Sequence, residues 1–295
     1  MALWNLGSIN ADHFYRLDHI PAPGETILSG GLSTGLGGKG ANMSVAAARA
    51  GGRVAHIGAV GGDGQWAIDR LTEYGVDTRP IAKLGAPTGH AIIMLDPQGE
   101  NAIIVHPGAN EAISEDQIGL ALSEAAQGDM LVMQNETNAQ AFSAETGSKL
   151  GLRVAYAAAP FEADAVRAVL PFIDVLVLNE IEMSQLQAAT GLSPSAEMGV
   201  ATVVVTKGEK GCTLYDQSNG WAAQDFPAIK VDPVDTTGAG DTFTGYFLAG
   251  LDRGASNTEA IELAIKASAL MVTRQGTADV IPDLKDVLDW QPGAA

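Results

Sequence analysis

The chain predicts an α/β fold, a doubly wound, mostly parallel sheet flanked by helices with a small β-sheet lid, in one domain spanning residues 1–295. Three observations carry that prediction. Short apolar or β-branched runs alternate with amphipathic stretches, the pattern of parallel strands joined by crossover helices. Segments 11–36 and 88–106 hold strand-like runs with no helix between them, which suits a separate small sheet lying over the main one. The 35 glycines cluster at 30–40, 58–64 and 238–250, beside the predicted strands and helices, where the backbone must turn tightly.

The elements follow in order. A first strand is predicted over Leu3–Ile9, then the first lid segment, then a helix over Ala41–Ala50. Val54–Val60 is the next strand and Gln65–Tyr74 its helix, after which Ala91–Leu95 and Ala102–Val105 supply the second lid segment. Helices over Glu115–Ala126, Ala139–Leu150, Glu162–Leu170 and Glu180–Thr190 alternate with strands over Met130–Met133, Arg153–Ala157, Val175–Leu178 and Thr202–Thr206, and a further strand follows at Thr213–Tyr215. A long apolar helix pair, Asp241–Leu251 and Thr258–Val272, should pack on the sheet. No repeat, low-complexity tract or composition break divides the chain.

Composition narrows the partners. With 17 Lys+Arg against 35 Asp+Glu the formal net charge is −18, and no basic run exists to neutralise phosphates, so nucleic acid is excluded and anionic membrane surfaces would repel the chain. Hydrophobic residues at 46% with charged residues at only 18% mean a packed core rather than disorder. One cysteine, Cys212, excludes an intramolecular disulfide and Cys-rich zinc sites and suits a reducing compartment. No signal-like N-terminus or long apolar window is present, so a soluble cytoplasmic protein is expected.

Glycine-rich chains generate chance motifs, and three fail on context. Gly31-Leu32-Ser33-Thr34-Gly35 matches a hydrolase nucleophile elbow, but every histidine lies at or before position 106, leaving none to follow in the required order. Gly35-Leu36-Gly37-Gly38-Lys39-Gly40 matches a dinucleotide fingerprint, yet residues 29–34 read as a poor strand and Lys39 would crowd a pyrophosphate. A phosphate loop of the Walker type fails because Gly40 stands where Ser or Thr should bind magnesium.

Two segments carry more. Asp235-Thr236-Thr237-Gly238-Ala239-Gly240-Asp241 is a small-residue loop running into an apolar helix, where the amides of Gly238, Ala239 and Gly240 form a concavity suited to an anion. Asp241 reads either as an ordinary helix cap or as a carboxylate placed beside that anion hole for chemistry. Gly37-Gly38-Lys39-Gly40-Ala41-Asn42 opens another helix, with close helix–sheet packing as its plain reading. Asn10-Ala11-Asp12 adds a third polar constellation near the end of the first strand.

Together these segments resemble the ribokinase-like (PfkB) carbohydrate kinase family, over most of the chain. Gly37–Gly52 is similar to its N-terminal signature and Asp235–Gly250 to its C-terminal one. The likeness is closest to the ribose-phosphorylating members, through Gly7-Ser8-Ile9-Asn10-Ala11-Asp12, Pro21-Ala22-Pro23-Gly24-Glu25-Thr26, Gly99-Glu100-Asn101, His106-Pro107-Gly108-Ala109-Asn110 and Met133-Gln134-Asn135-Glu136.

The resemblance implies an ATP-dependent kinase of the primary hydroxyl of a small sugar, D-ribose to ribose 5-phosphate first among candidates. Asp241 would be the base, and the Gly238, Ala239 and Gly240 amides would stabilise charge on the transferred phosphoryl group. Asn10, Asp12, Gly38, Lys39, Asn42 and Glu136, with Asp241, would bind the sugar. Asn179 and Glu182 would order the water shell of Mg2+, while Thr206, Gly208 and Gly211, with Gly238 and Gly240, would border ATP. Asp235, Thr237, Val272 and Gly276 would surround K+, with Val280 where a Ser is common in the family. The resemblance also implies a homodimer through the lid. Residues 192–201 depart from the family, which usually has an amphipathic helix there, so one sheet face is expected to be thinly covered. The rival readings are a kinase of a ketose, of a sugar acid such as 2-keto-3-deoxygluconate or of a nucleoside, and a non-catalytic sugar-binding regulator. Phe14 and Tyr15 are the lid aromatics that a nucleobase would use.

Overall fold

The computed structural model describes residues 1–98 and 100–292. Gly99 of the Gly99-Glu100-Asn101 stretch, and the last three positions of the 1–295 domain, lie outside the described residues.

Strand β1 (Leu3–Leu6) leads into β2 (Asn10–Arg16) and β3 (Gly31–Gly37), followed by α1 (Lys39–Arg49), β4 (Val54–Val60), α2 (Gln65–Glu73), β5 (Ile81–Lys83), β6 (Gly89–Leu95) and β7 (Asn101–His106). A single turn of 3-10 helix at Gly108–Glu111 precedes α3 (Glu115–Leu122), β8 (Met130–Gln134), α4 (Gln140–Lys149), β9 (Arg153–Ala157), α5 (Ala163–Val169), β10 (Val175–Asn179) and α6 (Glu180–Thr190). The remainder comprises β11 (Thr202–Thr206), β12 (Cys212–Asp216), β13 (Gln224–Phe226), α7 (Ala239–Asp252), α8 (Asn257–Met271) and α9 (Leu284–Asp289).

The large sheet has the order β13-β12-β11-β10-β9-β8-β1-β4-β5 and is parallel from β11 to β5, with β12 and β13 antiparallel at one edge. Chain order runs outward in both directions from β1, which pairs with β4 on one side and β8 on the other. In such a sheet the crevice beyond the C-terminal ends of the strands, at the switch point, is the place for a ligand. Alternation along β1 sorts the two cores: Leu3 joins the layer built from α1, α7 and α8, while Trp4 and Leu6 join the layer under α3 to α6. The second sheet, β3-β2-β6-β7, is the expected lid, with β2 and β6 parallel and the outer pairs antiparallel.

Two local expectations change. The strand predicted over Leu3–Ile9 stops at Leu6, because the Ser8 carbonyl accepts the Ala41 N–H (2.8 Å) and the Ile9 N–H is taken by the Asn110 side chain (2.9 Å), so the chain leaves the main sheet there for the lid. The poor strand at 29–34 falls largely within β3, whose backbone pairs residue for residue with β2; ladder partners decide what side-chain propensity does not. β3 is antiparallel and belongs to the lid, so Gly35–Gly40 still lacks the parallel buried strand of a dinucleotide site, and Ser33 lies within a strand rather than on a sharp turn. Segment 192–201 has no helix, as its length implied, and it fills its share of the core with buried Met198 and Val200. β5, β13 and α9, at three, three and six residues, are too short to leave a periodic signal in the sequence. Among the described residues no helix is long and apolar enough to cross a membrane.

Candidate active site

Residues named from sequence converge at the C-terminal ends of the parallel strands. The turn after β1 brings Ser8, the start of β2 brings Asn10 and Asp12, the loop after β8 brings Glu136, and α1 and α7 point their N-termini at the same crevice. Two hydrogen bonds tie these segments together. The backbone N–H of Lys39, the first residue of α1, donates to Glu136 Oε2 (2.9 Å), and Ser8 Oγ donates to the same oxygen (2.6 Å). Helix α1 thus presents an unsatisfied N-terminal amide and the positive end of its dipole to a carboxylate. Ser8 Oγ also accepts from the Gly40 N–H (3.2 Å), so one serine links the body strand, the helix start and Glu136.

Asp241, in the first turn of α7, is buried and accepts a hydrogen bond from Asn42 Nδ2 (2.9 Å). Burial pushes its carboxyl above the usual range; the Lys39 ammonium and the Asn42 amide pull the other way, and Glu136 adds to the rise. Lys39 in turn is held above its ordinary value by the charge of Asp241, against the effect of burial and with help from Glu136 and Glu182, so it stays an ammonium. Asp12 is pushed up to about 7 by burial and by the neighbouring Glu136 and Asp241. It fits only because residue 37 is glycine: a Cβ there would lie 2.0 Å from Asp12 Oδ2.

Helix α7 is capped by Gly238 in the left-handed conformation (φ 77°). Of the expected trio of amides, the Ala239 N–H donates to the Thr236 carbonyl (3.2 Å). Among the described residues the N–H groups of Gly238, Gly240 and Asp241 have no protein acceptor, so these three line the concavity. The loop that precedes the helix is closed by Asp235, whose carboxylate accepts from the Thr237 N–H (2.9 Å) and the Gly276 N–H (3.2 Å). The Val272 carbonyl also reaches this loop, but it accepts from both the Val234 N–H (2.7 Å) and the Asp235 N–H (3.1 Å). With both lone pairs engaged it does not fit as a cation ligand, whereas Asp235, Thr237 and Gly276 do come together. Val280 packs its Cγ1 3.2 Å from where a Cβ on Gly276 would stand, an apolar contact in place of a hydroxyl.

Asn179 and Glu182 form a reciprocal capping box on α6, with Glu182 N–H donating to Asn179 Oδ1 (2.8 Å) and Asn179 N–H to Glu182 Oε2 (2.7 Å). The plain reading of that tetrapeptide is therefore present; Glu182 keeps one oxygen outside the box and lies close enough for Lys39 to influence its charge. Thr206 ends β11, and Gly208 (φ 57°) and Gly211 (φ 99°) bracket the turn into β12. Ser8 and Asn110 are the contributors that sequence reasoning passed over as individual residues. Both stand inside stretches already singled out, and only hydrogen bonding distinguishes them.

An acidic side chain set at an amide-lined helix N-terminus, beside a cradle of polar side chains, is what a phosphotransferase acting on an alcohol group requires. Residues 3–284 match the family model described as pfkB family carbohydrate kinase, and the chain belongs to that family. The ribokinase of Haemophilus influenzae is 34% identical over 299 residues, covering 97% of this chain and 96% of that protein. Among solved structures, the ribokinase of Thermotoga maritima aligns with a TM-score of 0.88 at 31% identity over 98% of each chain. Arabidopsis thaliana ribokinase, solved in complex with ribose and ATP, aligns with a TM-score of 0.85 at 30% identity over 99% of this chain and 100% of that one.

Proposed function

We propose that the protein transfers the γ-phosphoryl group of ATP to the primary hydroxyl of D-ribose, giving ribose 5-phosphate. The observation that carries this reading is the meeting of Asp12, Asn42, Glu136 and Asp241 around one crevice, beside the free amides of Gly238, Gly240 and Asp241. Carboxylates and amides present acceptors and donors to a polyol, and a missing hydroxyl leaves buried polar groups unpaired. Three carboxylates in one crevice repel the carboxylate of a sugar acid, which disfavours that rival.

In this reading Asp241 accepts the proton of the attacking hydroxyl as the bond to phosphorus forms, and its raised affinity for protons suits it to that task. The three amides hold charge developing on the transferred group, and Lys39, kept charged by its acidic neighbours, adds positive potential on the sugar side. Mg2+, bound with ATP, supplies charge neutralisation on the phosphates; Asn179 and Glu182 would face its water shell, and Thr206, Gly208 and Gly211 would border the nucleotide. A coupled assay of ADP release with a panel of pentoses, ketohexoses, sugar acids and nucleosides tests the reading: ribose should give the highest kcat/KM, and a better substrate in any other class would overturn it.

Potassium activation is part of this proposal and rests on Asp235, Thr237 and Gly276. Replacing potassium by tetramethylammonium at constant ionic strength is expected to lower turnover severalfold; unchanged turnover would remove the cation. The acceptor sites lie in loops tied to α7, so the effect should appear in kcat.

The proposed homodimer uses the lid. Ile103, Ile104 and Val105 on the outer strand β7 are 53%, 58% and 58% exposed, and Leu32 on β3 is 58% exposed. A small sheet with an apolar edge needs cover. Ile104→Asp should shift the protein from dimer to monomer in light scattering, and a wild-type monomer at micromolar concentration would end this part of the proposal. A cytoplasmic setting accords with the lone Cys212, which is buried with its thiol pushed up to about 12, and with the use of ATP.

A further inference from the structure

Asn110 lies outside the crevice, yet its side chain is the hub on which the sugar-facing end of β2 is hung. It is 1% exposed, and it follows the lid in the 3-10 turn Gly108–Glu111. Its Oδ1 accepts the Ile9 N–H (2.9 Å), while its Nδ2 donates to Asn10 Oδ1 (2.8 Å) and, at longer range, to the Ile9 carbonyl (3.3 Å). Glycine at 89, the first residue of β6, makes room: a Cβ there would stand 2.2 Å from Asn110 Nδ2 and 2.5 Å from Asn10 Oδ1.

An amide side chain carries an oxygen that accepts and an NH2 that donates, so its neighbours decide which way it points. Here one end of the network is fixed. A backbone N–H can only donate, so the atom of Asn110 facing Ile9 N must be the oxygen, and the other atom must be the NH2. That NH2 can only donate, so the atom of Asn10 facing it must also be the oxygen. The remaining group of Asn10, its NH2, is then the one left for a ligand. The same logic sets Asn42 the opposite way: its NH2 is spent on Asp241, and its buried Oδ1 has no protein partner among the described residues.

We infer that Asn110 is a specificity-determining positioning residue: by fixing the amide of Asn10 it makes that side chain a donor toward the sugar, so that the facing sugar group must be a hydrogen-bond acceptor. Asn10 and Asn42 thus become non-interchangeable amides, one with its NH2 and the other with its C=O unspent, although the sequence shows the same residue type at both positions. This inference rests on the sugar-kinase reading for the location of the ligand.

Asn110→Asp keeps the bond from Ile9 N–H but turns an oxygen toward Asn10, which reverses the Asn10 amide and presents C=O to the sugar. Wild type and variant are compared on ribose and on its monodeoxy and monodeoxyfluoro analogues, because a hydroxyl can turn to accept or to donate whereas fluorine can only accept. In the wild type one deoxy position should carry a penalty in kcat/KM that depends on Asn10. In Asn110→Asp the KM for ribose should rise about ten- to hundredfold with a smaller change in kcat, as expected when a buried polar group loses its partner. At that one position the variant should discriminate against fluorine relative to hydroxyl more strongly than the wild type does, while the other positions respond alike in both proteins. Asn10→Asp, which keeps the Asn110 bond and also presents an oxygen to the sugar, should gain the same discrimination against fluorine at the same position; it reports even if Asn110→Asp does not fold. Uniform losses across all analogues, or different positions affected in the two variants, would reduce Asn110 to a structural residue and overturn the inference. Failure of the ribose reading would look different: the wild type would prefer another sugar, whose own deoxy series would then serve for the same comparison.

Discussion

Asp241→Asn is expected to bind the sugar with near wild-type affinity and to lose about 10²–10⁴-fold in kcat, the range for removal of a positioned general base. The side chains are nearly the same size, and the Oδ1 of an asparagine can still accept the hydrogen bond that Asn42 Nδ2 now gives to Asp241. Helix α7 therefore keeps its first turn, and Asn42 keeps its orientation. What disappears is the only group in that turn able to take a proton, together with the negative charge that most strongly holds Lys39 as an ammonium. Stability should not fall, because burial holds the Asp241 carboxyl above the usual range and ionised Asp241 thus costs the folded state free energy at neutral pH. Calorimetric titration with ribose, stopped at the binary complex, separates binding from chemistry. A kcat within a few fold of the wild type would remove Asp241 as base; a loss of ribose binding as large as the loss of kcat would make it a binding residue only.

The contrast between Asp241 and its neighbours shows what one sequence can disclose. A carboxylate following a run of small residues into an apolar helix is visible as a pattern, because amide concavities need glycine and helices need apolar faces. The same holds for the first glycine turn with Lys39 and Asn42. Ser8 and Asn110 have no comparable pattern, since their importance lies in hydrogen bonds to Glu136 and Asn10 from residues 128 and 100 positions away in the chain. Contacts of that range follow from sheet topology, and topology was legible only as alternation of strand and helix. For the same reason residues 29–34 read as a poor strand although the lid was placed over 11–36: the stability of β3 resides in the ladder to β2, which a glycine-rich strand cannot announce through its side chains. The Ala239 amide shows a third limit. Which of several consecutive N–H groups is free depends on a single turn closing onto Thr236, and any small-residue loop can turn in more than one way.

The net charge of −18 takes on a local meaning at Asp12. Its carboxyl lies near Glu136 and Asp241 and is pushed up to about 7 mainly by burial. In the unfolded chain the same group titrates near 4. Between those values the folded protein holds a proton that the unfolded chain releases, so the contribution of this group to stability is greatest at acid pH, declines as pH rises toward 7 and levels off above it. Moving a buried carboxyl from 3.8 to about 7 costs on the order of 4 kcal/mol once it is ionised. Asp12→Asn should accordingly match the wild type in urea stability near pH 4 and exceed it by up to that amount at pH 8. Function should move the opposite way. In the proposed function sugar hydroxyls would donate to this carboxylate, so kcat/KM of the wild type should rise with pH through an inflection near 7, while Asp12→Asn should show a value lower by about 10²-fold or more and no inflection there. The two measurements test one statement from opposite sides: the fold keeps an unfavourable carboxylate because the sugar requires it. If Asp12→Asn is no more stable than the wild type at pH 8, the carboxylate is not strained by burial; if the inflection survives in the variant, another group sets it.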